Sequence, residues 1–309
     1  MHDATKDTSR PESGHTPVMC REVMDALQVE AGKWYVDATF GRGGYTNAII
    51  DRGGKVVAFD HDGDAIAFGQ AHFAAELKEG NLVLVHKNFS KLEETIRQYQ
   101  ADLHIQEVHG VCFDFGVSSP QLADMTRGFS FAHDAELDMR MDQRLGVQAK
   151  DLLAILPERQ LAELFSTYGG EAEAKVIARA IAQQRARKPI TRTTELAKLI
   201  ERVKRSPRRH LHPATKVFQA LRMAVNSELD SIVEALPQAQ RCLTAGGRIV
   251  TVCFHEGEDR LAKNAFRSWE QDGLGTHETK EVITPSDEEV ARNPRSRSAK
   301  LRIFLKKRS

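Results

Sequence analysis

Cysteine is scarce in this 309-residue chain. The four thiols, Cys20, Cys112, Cys242 and Cys253, lie far apart and form no C-x-x-C pair, which excludes a disulfide framework and a cysteine-based zinc site as organising features. The twelve histidines fall into no ligand spacing, so no metal is expected. No apolar run approaches the roughly 18 uninterrupted residues of a membrane span, and no membrane partner is expected. The first fourteen residues are polar and carry no apolar h-region. They read as a disordered leader rather than a secretory signal, and the expected compartment is cytoplasmic. Internal repeats and low-complexity tracts are absent as well. What is present, 41% hydrophobic and 28% charged residues, is the composition of a soluble globular protein large enough for one big core or two ordinary ones.

An excess of either charge is also missing: 44 basic side chains face 43 acidic ones, for a net charge of +1. The balance is a cancellation between parts. Lys175 to Arg222 holds fourteen Lys or Arg against two acids, Glu195 and Glu201, for a net +12. From Arg292 to the end there are eight bases and no acid, a net +8, which leaves −19 on the rest of the chain. Two basic segments in an otherwise acidic protein are the footprint of a phosphate-rich partner. On charge alone, a solvated helix face is the competing explanation.

Short apolar strands alternate with amphipathic helices in the first part of the chain. KWYVDAT (Lys33 to Thr39) leads into the glycine-rich turn FGRGGYT and a helix through Asn47 to Arg52. KVVAFD ends at Asp60, a helix follows from Ala65 to Leu77, and NLVLVHKNF and GVCFDFG read as a third and a fourth strand. This pattern predicts an α/β fold with a Rossmann-like parallel sheet covered on both faces, with ligands beyond the carboxyl ends of the strands, where Asp37, Asp60, Phe89 and Asp114 fall. From about Asp134 to His212 the periodicity is helical only. Alternation then resumes with one long helix VFQALRMAVNSELDSIVEAL, a turn at Gly246 and Gly247, a strand GRIVTVCF, a helix near Asp259 to Gln271 and a closing strand KLRIFLK. The expected organisation is a leader over 1–14, a sheet domain made of 15–133 and 213–309, and a basic helical insertion over 134–212 that carries most of the +12.

The glycines at 41, 43 and 44 follow a strand directly, where backbone without side chains lets a ligand approach a helix N-terminus. They do not form the G-x-G-x-x-G fingerprint. Asp60, at the next strand end, is placed to accept hydrogen bonds from ribose hydroxyls. These two features suit an NAD enzyme as well as a methyltransferase. The fourth strand tips the choice, because Asp114 is followed by Ser118, Ser119 and Pro120, and enzymes that methylate exocyclic amines place a short Pro-containing loop of hydrogen-bond acceptors there. Cys112 offers a rival route, nucleophilic attack on a pyrimidine ring. Its place inside an apolar strand reads instead as a buried, inert thiol.

Taken in order, HTPVMCREV, DATFGRGGYT, DFGVSSPQL, RGFSF, LDMRMD, TRTTELA, HPATKVFQALRMAVNSEL, AGGRI and NPRSRSAKLR resemble the bacterial RsmH (MraW) family over His15 to Arg302. The resemblance implies an S-adenosylmethionine-dependent methyltransferase sheet with an inserted helical domain, acting on N4 of a cytosine in the decoding centre of small-subunit (16S) ribosomal RNA. The implied partner is that RNA or the assembled small ribosomal subunit. By position, Gly43, Gly44, Tyr45, Asp60, Phe89, Asp114 and Gln121 match the family's cofactor-contacting set. Phe89 reads otherwise as a core aromatic, and Gln121 as a cap of the helix that follows. Asp114 and Ser118 are the expected amine-orienting groups, on a loop with Ser119 and Pro120. His255 and Asn226 are further pocket candidates, against the plainer readings of a satisfied strand-end histidine and a solvated helix residue. Arg185, Arg187, Lys188, Arg192, Arg208, Arg209, Arg295 and Arg297 are expected to hold phosphates.

One departure from the family stands out. CFHEGEDR replaces a pattern resembling S-F-H-S-L-E-D-R, which is expected to put the Glu256 carboxylate beside the target pocket and to loosen the turn at Gly257. The stretch from there to NPRSRS also looks shorter than is usual. Two alternatives of other kinds follow: a non-catalytic rRNA-binding assembly factor that keeps the fold, and a DNA cytosine-N4 methyltransferase. An NAD-dependent oxidoreductase lacks its fingerprint.

Overall fold

A computed structural model describes residues 17–103, 107–204 and 212–308. The leader expected over 1–14, and Arg208 and Arg209, lie outside the described residues. Seven strands form one sheet: β1 (Trp34–Asp37), β2 (Lys55–Asp60), β3 (Leu82–His86), β4 (Val108–Asp114), β5 (Leu243–Cys253), β6 (Gly275–His277) and β7 (Lys300–Lys306). Their order is β3-β2-β1-β4-β5-β7-β6. The first five run parallel, whereas β7 pairs antiparallel with both β5 and β6. The fold is thus α/β and Rossmann-like. Strands such as KVVAFD are almost wholly apolar because both faces of the sheet are covered.

Alternating side chains enter different cores. Val36, Val57, Phe59, Val111 and Phe113 pack on one face with Ile232 and Phe266. Tyr35, Val56, Ala58 and Cys112 pack on the other with Met19, Val23 and Ile49. The chain winds outward from β1 to β3 and then returns to β4 beside β1, so strand order reverses between β1 and β4. Register aligns Asp37 with Ala58 on one side and with Cys112 on the other, which brings the ends of β1, β2 and β4 to one edge. That switch point is where sheets of this type receive ligands.

The helical part differs from expectation in two ways. Its own core includes Leu161, Phe165, Ile177, Leu196 and Ile200, but also Phe129 and, on the far side, Val217, Phe218, Leu221 and Val225. The apolar face of the helix Thr215–Val225 therefore belongs to the helical unit, and the return to the sheet domain falls near Asn226 rather than at 212/213. The expected single helix over VFQALRMAVNSELDSIVEAL is broken into Thr215–Val225 and Glu228–Cys242, with Ser227 left-handed at φ 48°. Arg222 donates to both carboxylate oxygens of Glu228 at 2.7 and 2.8 Å across the break, an orientation that a straight helix would not permit at six residues' separation. The strand β6 was not expected either, since three residues, Gly-Thr-His, carry no periodicity. No helix among the described residues is long and apolar enough to cross a membrane.

Candidate active site

Beyond the carboxyl ends of β1, β2 and β4 opens a cleft whose wall includes Gly41, Gly44, Asp60, Phe89, Asp114 and Glu258. Asp37, fully buried, anchors its glycine turn by accepting from the Thr39 N–H at 3.2 Å, the Thr46 N–H at 3.1 Å and the Thr46 hydroxyl at 2.7 Å. Burial pushes the Asp37 carboxyl up to about 6. Asp60 is held in turn by the Gly41 N–H on Oδ2 and the Asp62 N–H on Oδ1, both at 2.8 Å. Each oxygen keeps a lone pair for a ligand hydroxyl, because a carboxylate has about four acceptor sites.

The glycines divide their work differently from expectation. Gly44 is on the cleft wall at the start of the helix Gly44–Ile50. Gly43 is off that wall: at φ 73°, a Cβ there would meet the Phe73 ring at 2.6 Å and Phe40 at 2.8 Å. Its lack of a side chain serves helix-to-core packing rather than ligand approach. Tyr45 is on the wall, and its hydroxyl donates to the Val18 carbonyl at 2.5 Å. Phe89 stands edge-on to Phe113 with centroids 5.7 Å apart and also reaches the cleft, so it is core aromatic and wall together. Cys112 is off the wall; its thiol, pushed well above its ordinary range by burial, faces the Val36 carbonyl as the buried-thiol reading expects.

The loop after β4 brings Asp114, Ser118, Ser119, Pro120 and Gln121 to the wall together. The Asp114 N–H donates to the Thr39 hydroxyl at 2.8 Å, whereas Oδ1 is buried with no hydrogen-bond partner. Burial first, then the Asp37 and Glu258 carboxylates, push the Asp114 carboxyl up to about 8. Gln121 is engaged at both ends. Its Oε1 accepts from the Ser118 N–H at 2.9 Å, its own N–H faces Ser118 Oγ at 3.5 Å, and its Nε2 donates to Asp62 Oδ2 at 2.7 Å. Gln121 thus caps the helix Ser119–Ala123, and Ser118 Oγ is its cap partner. The Gln121 amide braces the loop against Asp62 at the start of the helix Gly63–His72, alongside the capping role that was its plainer reading.

That brace continues through Arg127. It is buried, and it donates to Asp62 at 3.0 Å, to Asp64 at 3.1 Å and to the carbonyls of Arg140 and Met141 at 2.8 Å each. Neither Asp62 nor Arg127 was singled out from the sequence, although RGFSF and LDMRMD contain the two segments that this guanidinium joins.

Two pocket candidates prove to be fasteners. Asn226 borders the cleft, but its Oδ1 accepts from the Met141 N–H at 2.7 Å and its Nδ2 donates to the carbonyls of Met139 and Arg222 at 2.8 Å each. It is buried rather than solvated, and it pins a loop in which Met139 is left-handed at φ 62°. Replacing Asn226 with Ala would strand buried donors and acceptors, and a urea titration is expected to show a loss of about 2–4 kcal/mol. A change under about 0.5 kcal/mol, the size of an ordinary surface substitution, would contradict that role. His255 is off the cleft wall; its Nδ1 accepts from the Gly257 and Glu258 N–H groups and caps the helix Glu256–Gln271. Glu256 is exposed and away from the wall, and Gly257 sits in a completed capping box. The expected intrusive carboxylate and loosened turn are therefore both absent. The residues of that motif which do reach the cleft are Phe254 and Glu258.

The profile of the MraW methylase family matches residues 12–307. The chain belongs to this family. It is 43% identical over 311 residues to the protein named ribosomal RNA small subunit methyltransferase H of Azorhizobium caulinodans, covering 96% of this chain and 88% of that one. To the protein of the same name from Rhodopseudomonas palustris it is 44% identical over 310 residues, 95% and 91% of the two chains. A solved rRNA methylase from Streptococcus thermophilus aligns over 93% of this chain and 95% of its own at 12% identity and a TM-score of 0.44.

The basic residues of this MraW methylase are not equivalent. Arg185 donates to the carbonyls of Leu153 at 2.5 Å and Leu156 at 2.7 Å, closing the end of the helix Ala149–Ile155 instead of facing a phosphate. Lys188 pairs with Glu195 at 2.5 Å and Arg192 with Asp134 at 2.7 Å, both near solvent. Such solvent-screened pairs hold weakly, so a phosphate can replace the partner. Arg187, Arg295 and Arg297 are exposed and have no ion-pair partner among the described residues, and Arg295 borders the cleft itself.

Proposed function

We propose that this chain methylates N4 of a cytosine in the decoding centre of small-subunit ribosomal RNA, in the cytoplasm, on the RNA or the assembled subunit, with S-adenosylmethionine as donor. The observation that carries the reading is the Asp114 carboxylate. A buried, unpartnered oxygen stands at the switch point of a methylase sheet, beside the loop of Ser118, Ser119 and Pro120. The names of the relatives support a small-subunit rRNA substrate.

The wall suits the donor. Asp60 offers aligned acceptors to a ribose and the Phe89 ring a surface for adenine. S-adenosylmethionine, when bound, supplies an electrophilic methyl on a positively charged sulfur. The chain's own part is to orient and to exclude water. Acceptors such as Asp114 hold the amine so that its lone pair lies in line, an electrostatic and positional task that needs no covalent enzyme intermediate. The target base has to leave its stack to reach this depth.

Incubation with labelled S-adenosylmethionine and small subunits lacking the modification, followed by nucleoside mass spectrometry, should yield N4-methylcytosine. Donor binding without that product would overturn the proposal. Asp60→Ala should weaken donor binding in calorimetry about 10- to 100-fold, the effect of losing one or two charge-assisted hydrogen bonds.

The arginines separate by a different measurement. For every phosphate that a variant no longer neutralises, the slope of log K against log salt becomes shallower by about 0.7–0.9. Arg187→Ala combined with Arg297→Ala should therefore flatten the salt dependence of RNA binding by about 1–2. Arg185→Ala should lower thermal stability and leave that slope unchanged.

A further inference from the structure

Methylating an amine leaves a proton to be placed, since one N–H bond breaks for each N–C bond formed. Glu258 is fully buried on the cleft wall. Its Oε2 accepts from the N–H groups of Phe254 at 2.8 Å and His255 at 3.3 Å, which fixes the side chain at the start of its helix. Its Oε1 is buried without a hydrogen-bond partner. The His255 ring has its Nε2 only 2.9 Å from Oε1, but off line for a hydrogen bond. Because Nδ1 accepts from backbone N–H groups, the ring proton is assigned to Nε2, where it adds a favourable dipole without satisfying the oxygen. The β4 loop passes close by: a Cβ on Gly116 would lie 3.9 Å from Oε1. A buried acceptor left without a donor is destabilising. Two such oxygens, Glu258 Oε1 and Asp114 Oδ1, border one cleft, and an amine has two N–H groups.

Resting on the methylation reading above, we propose that Glu258 is a catalytic residue that binds one N–H of the target amine through Oε1 and accepts its proton. The nitrogen lone pair forms the new N–C bond, and the pair of the old S–C bond stays on the departing sulfur. The N–H pair returns to nitrogen as the proton passes to Oε1, and Asp114 holds the second N–H. One cation and one anion become two neutral groups, a change that a dry cleft favours. The charged or titratable neighbours that feel Glu258 are Asp114 on β4, Arg222 on the helix Thr215–Val225, and Cys253 and His255 in its own segment.

The test compares wild type with Glu258→Gln, which keeps a capping oxygen but cannot take a proton. Single-turnover transfer to unmodified small subunits at saturating donor is expected to fall by about 100-fold or more, with S-adenosylmethionine and RNA affinities within about threefold and the melting temperature preserved. A rate within about threefold of wild type overturns the assignment, as does a slower rate that merely tracks lost affinity. Should Glu258→Gln fail to fold, Glu258→Asp retains the carboxylate and the cap. Its rate should then fall while the pH dependence of transfer stays that of wild type, and an unchanged rate would count against the assignment. If wild type binds the donor yet methylates no amine, the functional reading fails instead, which is a separate result.

Discussion

Replacing Asp114 with Asn is expected to make the protein more stable and nearly inactive at once. The Asp114 carboxyl is pushed up to about 8 in the folded chain from an ordinary 3.8, so the folded state holds this proton more tightly than the unfolded state does. Its contribution to stability is therefore present below the unfolded value and is lost as pH rises from about 4 to about 8. Above that range the buried charge works against folding. Urea titrations should show Asp114→Asn gaining about 2–4 kcal/mol at pH 8.5 and almost nothing at about pH 2.5, where the group is neutral in both states. Methyl transfer should fall by about 10²- to 10³-fold, the usual loss of one oriented electrostatic contact. A destabilised variant at pH 8.5 would show that the carboxylate is satisfied by a partner after all. The same shift predicts that a positively charged donor binds with release of a proton, so wild-type affinity for S-adenosylmethionine should tighten between pH 6 and 8. Calorimetry in buffers of different ionisation enthalpy reads that release directly.

The second large effect is expected at Arg127, which the sequence marked only as part of the motif RGFSF and gave no role. Arg127→Met removes a buried guanidinium that serves Asp62, Asp64 and two carbonyls and leaves the Asp62 charge buried with only the Gln121 amide and backbone as partners. Breaking one side of a buried ion pair costs about 3–5 kcal/mol, and urea titration should show a loss of that size. Adding Asp62→Asn keeps an acceptor for the Asp64 N–H while removing the unpaired charge, and should recover more than about 1 kcal/mol. Additive losses in the double variant would mean that the two groups do not depend on each other. Because Asp62 also holds Gln121, Arg127→Met should weaken donor binding from a distance, through the loop that carries Ser118 and Asp114.

Different parts of the site were visible at different levels. Asp60, Phe89 and Asp114 stand at strand ends, and strand ends follow from apolar runs bounded by polar residues and glycines. Their convergence then follows from the handedness and order of a parallel sheet. By contrast, Asn226, His255, Gln121 and Arg185 were singled out for carrying the right functional groups, and in the fold those groups are engaged by backbone amides and carbonyls, or by Asp62. Gly43 likewise looked like a ligand contact until Phe40 and Phe73 were found against it. The break at Asn226 and Ser227 was hidden because the apolar pattern runs through it without a proline or glycine. The bonds of Asn226 to Met139 and Met141, some 85 residues away in sequence, and the Arg222–Glu228 pair hold the chain at the break.

The amino-acid sequence by itself determined the α/β architecture, the edge at which the cleft opens and the concentration of positive charge in two segments, because periodicity and composition are local quantities. Tertiary structure alone decided which polar groups are free to meet a ligand. A side chain's availability is what remains after every buried donor and acceptor has found a partner, and those partners come from distant segments. The two carboxylate oxygens left over, on Asp114 and Glu258, became visible only once the partners of Asn226, Gln121 and His255 were in place.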